Sequence, residues 1–189
     1  MTMKEEPILE PILRYFRLSK VLRHIPHNVV VLDIGCGTKA TFLRHISPRI
    51  RQGIGVDFKV DPFESGNITV SPLHFSGQLP FSDATFDVVT MLAVLEHIEH
   101  ESAMVTEVYR VLVPGGKLVL TVPSVWAQPV LEFLAYRLKI VSEDEIRDHK
   151  RYYNRQKLYQ ILIKKGGFSD FNHQYFQLRM NNFCTVNKQ

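Results

Sequence analysis

The chain has 189 residues, 45% of them hydrophobic and 22% charged. That balance supports one folded core of ordinary size and excludes the disordered and fibrous classes. The net charge of +4 is spread along the sequence rather than gathered in a run, so nucleic acid is disfavoured as a partner. The two cysteines, Cys36 and Cys184, form neither a disulfide framework nor a metal-ligand spacing, which makes a reducing cytoplasm the expected compartment.

Taken in order, the first element is an amphipathic helix. Ile8, Leu9, Ile12, Leu13, Phe16, Val21, Leu22 and Ile25 recur at three- and four-residue intervals and the pattern stops near Pro26. Charged residues interrupt it too often for a signal peptide or a membrane span. Val29 to Ile34 is a short β-branched run closed by Gly35 and Gly37, read as a buried parallel strand that leads into a helix around Ala40 to Ile46. Ile54 to Val56 is a second strand, ending at Asp57. From Pro62 to Pro80 the pattern is sparse, with one short strand expected near Val70 to His74.

Phe86 to Leu92 is the next strand. Val94 to Leu112 has helical spacing, Pro114-Gly115-Gly116 is expected to stop it, and Lys117 to Val122 is another strand. Trp126 to Ile140 reads as a further helix lying over the ligand crevice. Asn154 caps a helix running to Lys165, with Gly166-Gly167 as its stop. The tail from Phe168 to Asn187 fits an antiparallel hairpin with Asn181-Asn182 as its turn. Alternating strands and helices of this kind build a parallel sheet covered on both faces, with the ligand crevice beyond the carboxyl ends of the strands.

The segment Val31-Leu32-Asp33-Ile34-Gly35-Cys36-Gly37 therefore sits where a nucleotide-like ligand binds, because its glycines let the backbone turn sharply and approach a ligand. By spacing alone Gly35, Gly37 and Ala40 also satisfy a dinucleotide fingerprint, with Asp57 placed as the ribose carboxylate. Asp33 separates the two readings. A carboxylate two residues before the first glycine repels a pyrophosphate and attracts a ligand carrying ammonium and sulfonium groups. A nicotinamide-dependent oxidoreductase is thus the lesser alternative.

Four segments in this order, VLDIGCG, LPFSDATFDVV, LEHI and YRVLVPGGKLVLTVPS, resemble the class I S-adenosyl-L-methionine (SAM)-dependent methyltransferases. The resemblance covers Val29 to Pro123 and weakens toward Phe168. It implies a three-layer, Rossmann-like α/β fold whose mostly parallel sheet has seven strands and an antiparallel C-terminal strand. The whole chain, 1–189, is then one catalytic domain, with 1–26 as an N-terminal helix and 124–150 as a variable insertion on the substrate side. It also implies SAM bound against Asp33, Gly35, Cys36, Gly37, Asp57, Phe58, Phe75, Ser76 and Leu92, and S-adenosyl-L-homocysteine as product. Two positions depart from the pattern: Lys39 stands where many relatives have glycine, and Phe75 where many have the aspartate that recognises adenine.

Methyl transfer from a sulfonium is an in-line displacement that needs positioning and dryness more than a nucleophilic side chain. An oxygen acceptor also benefits from a base near neutral pKa. Glu96 and His97, just past the strand Phe86 to Leu92, and His149 in the stretch His149-Lys150-Arg151-Tyr152-Tyr153 are the candidates, in segments that resemble those bordering the acceptor pocket of ubiquinone-pathway O-methyltransferases. Similar enzymes that bind a divalent metal place a glutamate three residues before the Glu-His pair. That position is Ala93 here, so no metal is expected. Tyr152 and Tyr153 among basic residues are read first as a helix entrance with one ring packed inward. The expected function is O-methylation of a small molecule or a glycan- or lipid-linked acceptor. The alternative is a SAM-binding subunit without catalysis.

Overall fold

The computed structural model describes residues 10–129 and 151–189, with side chains from residue 16 onward. Its elements run α1 (Glu10–Leu22), β1 (Val30–Ile34), α2 (Thr41–Ile46), β2 (Gln52–Asp57), β3 (Phe63–Ser65), β4 (Ile68–Pro72), β5 (Phe86–Leu92), α3 (Glu101–Val111), β6 (Leu112–Pro123), α4 (Arg155–Tyr159), β7 (Ser169–Phe176) and β8 (Asn181–Asn187). The strands form one sheet in the order β3-β4-β2-β1-β5-β6-β8-β7. β4, β2, β1, β5 and β6 are parallel neighbours, whereas β8 runs antiparallel between β6 and β7.

Side-chain alternation divides the sheet between two cores. Val31, Val88 and Val119 face one layer with Val21 of α1 and Leu43 of α2. Leu32, Val89 and Leu118 face the other with Val105 and Val108 of α3 and Leu158 of α4. Every residue of β1 is buried, which explains why all but Asp33 are apolar: a parallel strand covered on both faces has no solvent side to keep polar. The expected three-layer α/β architecture is present, with an eighth strand added at the edge. That strand, β3, pairs antiparallel with β4 through the two-residue turn Gly66-Asn67, where Gly66 takes a positive φ of 60°.

Three local expectations are corrected. The helical spacing from Val94 to Leu112 is not one helix: a 3-10 turn, Leu95–His97, is separated from α3 by the extended residue Ile98. Ala93 at φ 59° redirects the chain there, a bend that apolar spacing does not record. Pro114-Gly115-Gly116 lie within the β6 span, where pairing jumps from Phe86↔Leu112 to Val88↔Lys117. Their backbone is satisfied from the C-terminus instead, by Gly115 N–H to Lys188 O (2.9 Å) and Lys188 N–H to Gly116 O (2.8 Å). Asn181 and Asn182 are not the last turn but the first residues of β8. The turn is Gln177 to Met180, with Gln177, Leu178 and Arg179 at positive φ. Asn154 does cap α4, its side chain accepting from Lys157 N–H at 2.8 Å, and the helix continues as a π-turn, Gln160–Lys165. The helix expected from Trp126 to Ile140 lies outside the described residues beyond Pro129.

Arg110 joins two of the sequence segments singled out above. Its guanidinium donates to Glu107 Oε2 and Asp83 Oδ1 (both 2.7 Å) and to the carbonyls of Phe81 (2.7 Å) and Leu79 (3.0 Å). Glu107 in turn accepts from Leu79 N–H at 2.8 Å. The α3 helix thereby holds the loop that delivers the chain into β5. Removing the guanidinium leaves Glu107 buried without its counter-charge, so Arg110→Ala is expected to lower the unfolding free energy by about 2–4 kcal/mol in urea titration.

Candidate cofactor and acceptor site

The parallel registers align the carboxyl ends of three strands: Ile34 of β1 faces Val56 of β2 on one side and Met91 of β5 on the other. The chain leaves β1 through Gly35 and Gly37, at φ 76° and 70°, while Gly35 and Cys36 both donate to Val56 O (2.8 and 3.2 Å). The two glycines serve different ends. A Cβ on Gly35 would run into the Val94 side chain, whereas one on Gly37 would meet nothing within 4 Å. Gly35 lets the loop after β5 pack closely, and Gly37 leaves an open backbone cradle of the kind a ligand approaches. Cys36 contributes backbone only: its sulfur lies under Gly55, and burial pushes its thiol up to about 12.

Asp57 closes the cradle from β2. Its Oδ2 accepts from Gly37 N–H (3.0 Å) and its Oδ1 from Lys59 N–H (2.9 Å). A carboxylate offers about four acceptor directions, so both oxygens retain capacity for a vicinal diol. Beside it the Phe58 ring is 54% exposed, with Lys59 Nζ 4.6 Å from its centroid and the His74 ring at 6.1 Å. Phe75 is half-buried and packs on the core, Ser76 is exposed, and Leu92 is half-buried at the end of β5.

Asp33 is almost wholly buried and accepts a 2.6 Å hydrogen bond from the Thr90 hydroxyl. Burial pushes its carboxyl up to about 7 against the opposing effect of Thr90, with Asp57 adding to the rise. Glu96 is fully buried on the 3-10 turn after β5, and neither of its oxygens has a hydrogen-bond partner among the described residues. Burial pushes it up to about 8, opposed by its own backbone and by the charge of Arg17. His97 follows it and is half-buried. The turn that carries both touches the cofactor loop through Val94 and Gly35. His149 lies outside the described residues.

Arg17 and Thr90 are additions that sequence reasoning missed, whereas Tyr153 is expected as one of a pair with one ring packed inward. Tyr153 is the inward ring of its pair: its hydroxyl, donor to only one partner at a time, lies 2.7 Å from Glu101 Oε2 and 3.3 Å from Leu95 O. The alternation of β5 could have flagged Thr90, a polar residue in an apolar strand directly opposite Asp33. Nothing in the helical spacing marks Arg17. Among the described residues no group of three or more histidine, cysteine or acidic side chains could hold a metal ion, and no described helix is long and apolar enough to cross a membrane. The open cradle at Gly37, the spare capacity of Asp57 and the unmatched carboxyl of Glu96 fit an adenosyl ligand with a positively charged end.

Comparison with known proteins agrees. A family model described as a methyltransferase domain matches residues 7–171. The chain is 31% identical over 121 residues to a demethylmenaquinone methyltransferase of Lactiplantibacillus plantarum, covering 58% of this chain and 51% of that protein. It is 26% identical over 183 residues to the ubiquinone/menaquinone biosynthesis C-methyltransferase UbiE of a Geobacter species, covering 85% and 78%. The chain thus spans from half to about three quarters of the length of these relatives. In fold it matches the Haemonchus contortus phosphoethanolamine N-methyltransferase 2 in complex with SAM, with a TM-score of 0.70 at 16% identity over 92% of this chain and 52% of that one.

The buried carboxyls have a consequence for stability. Asp33 and Glu96 keep their protons in the folded chain up to about 7 and 8, whereas the unfolded chain releases them near 3.8 and 4.5. Between those limits the folded state binds more protons, so stability is lost as pH rises through the window. In denaturant titrations of ligand-free protein at pH 5 and pH 8, Asp33→Asn is expected to shrink the loss on going to pH 8 by on the order of 2 kcal/mol. An unchanged pH slope in the variant contradicts this reading.

Proposed function

The chain belongs to the family of methyltransferase domains that use SAM, and from that premise we propose that it methylates a ring carbon of a lipophilic hydroquinone-type acceptor. The observation that carries the proposal is the placement of His97. It lies half-buried on the turn that packs against Gly35, on the same sheet edge as the cradle of Gly37 and Asp57. The names of the two relatives supply the acceptor class, and that of UbiE supplies the atom.

Bound SAM supplies a methyl sulfonium whose carbon–sulfur bond breaks with both electrons going to sulfur. Asp57 would hold the ribose and the Gly37 backbone would receive the nucleoside, so that these two residues position the cofactor for transfer. His97 takes the proton of a ring hydroxyl. The negative charge so formed is delocalised onto the neighbouring carbon, which then forms the new bond, and loss of that carbon's hydrogen as a proton restores the ring. The sequence reading puts transfer at oxygen because a histidine base suits a hydroxyl. The same proton removal serves carbon, and no relative cited here is named for transfer to oxygen.

With deuteromethyl-labelled SAM and a prenylated naphthohydroquinone, mass spectrometry and NMR should locate the label on ring carbon. His97→Ala should lower kcat about 10²–10⁴-fold with SAM affinity retained. Label on oxygen alone overturns the carbon assignment, and full turnover by the variant removes His97 as the base. SAM binding without product from any quinol favours a non-catalytic subunit.

A further inference from the structure

The two edges of the sheet are unlike. At one edge β3 is three residues long, whereas β7 at the other runs from Ser169 to Phe176 with no lysine or proline among its residues. Exposed edge strands are commonly blunted by shortness, by such residues or by a bulge, because their unpaired N–H and C=O groups are a template for another strand. The bulge of β7 lies at its start, around Asp170 at φ 52°, and Asn172 to Phe176 stay in unbroken register with β8. That register also fixes which backbone groups point outward. Just before β8, Met180 O accepts from Ser124 N–H, and just after it Lys188 N–H donates to Gly116 O. Along β8 the even-numbered residues therefore bond toward β6 and the odd-numbered ones toward β7. The opposing residues Asn172, Gln174 and Phe176 are used in this way, and His173 and Tyr175 turn their N–H and C=O away from the sheet. Among the described residues no other backbone group meets them.

The residues of this edge match themselves when read in opposite directions. About His173, an antiparallel copy of the strand sets Phe171 against Tyr175, Asn172 against Gln174 and His173 against its own counterpart. Rings then meet rings and amides meet amides. The axis falls on a residue whose backbone faces outward, as a hydrogen-bonded antiparallel pair requires. One face of the strand is already ordered. The His173 ring stacks on Phe171, with centroids 6.0 Å apart and 11° between planes, and meets Tyr175 edge-on at 4.7 Å. Tyr159 of α4, 37% exposed, stands against Phe171 at 5.5 Å. His173 Nε2 is held 2.8 Å from Asn182 Oδ1, while the Asn182 amide nitrogen donates to Tyr153 O at 3.0 Å. A strand fixed in this way loses little freedom on pairing. On the opposite face Asn172 and Gln174 are exposed. We propose that β7 is the interface with a second copy of this chain, the two strands pairing antiparallel about His173 to make one continuous sheet across the dimer. The inference goes beyond the methyl-transfer reading and does not depend on it.

Sedimentation velocity tests it on the full chain, which should run at twice the chain mass within about 1–100 μM. Across the axis Asn172 and Gln174 face each other in non-bonded pairs, where side chains come closest. Asn172→Lys with Gln174→Lys sets like charges face to face twice in each dimer and should raise the dimer Kd about tenfold or more. Asn172→Lys with Gln174→Glu sets opposite charges there instead and should keep Kd at least about tenfold below that of the doubly basic variant. Both positions are exposed, so far-UV circular dichroism of either variant should match the wild type. Amide hydrogen exchange in residues 171–176 should slow as concentration rises. A wild-type chain still monomeric at about 100 μM overturns the proposal. So does a dimer equally strong in both double variants, which places the contact elsewhere, or equally weak in both, which rules out the antiparallel register.

Discussion

The pairing of β1 with β2 on one side and β5 on the other is the constraint on which the site depends. Five consecutive residues of β1 are in register with β2 and four with β5, and both faces of the strand are covered. Its carboxyl end therefore cannot shift relative to Asp57 or to the turn that carries Glu96 and His97. Two close approaches lock the arrangement. Gly35 admits Val94 where any side chain would collide, and the Gly37 amide is held on Asp57. Holding groups at fixed spacing is the larger part of what catalysis by an in-line displacement demands of a protein.

The same rigidity accounts for the buried carboxyls. Asp33 and Glu96 sit where water is excluded and are raised accordingly, so that either carboxyl is costly to hold as a charge in the folded chain. The outer layers serve the arrangement from a distance. Arg110 fixes the approach to β5. Tyr153 joins the segments on either side of residues 130–150 to that turn: its amide donates to Pro123 O (3.1 Å), its carbonyl accepts from Val125 N–H (3.0 Å), and its hydroxyl reaches Leu95 O and Glu101. The fold provides a fixed base, and acceptor choice is left to what is built upon it.

Much of this was legible in the sequence because it follows from local chemistry. The β-branched run before Gly35, the glycine spacing and the carboxylate at the end of the second strand are each readable from neighbouring residues, and the alternation of β and α segments gives the parallel sheet. What escaped depends on partners distant in sequence or on single unusual backbone angles. The positive φ of Ala93 divides an apparent helix, and the edge strand β3 is three residues long with little apolar signal. Phe58 stays open beside Asp57, whereas Phe75 is turned to the core and Cys36 lies beneath its own loop. Glu96 is polar in sequence and gives no sign of full burial. Its setting emerges only when Leu95 packs into the core and α1 brings Arg17 across.

The central claim is that the adenosyl group rests between Gly37 and Asp57. Titration calorimetry of S-adenosyl-L-homocysteine into the wild-type chain and into Asp57→Ala tests it most directly. The account predicts binding by the wild type, weakened on the order of 10–100-fold in the variant through loss of charge-assisted hydrogen bonds to the ribose. Equal affinity in the two proteins, or binding of NADH in place of the adenosyl compound, would contradict it.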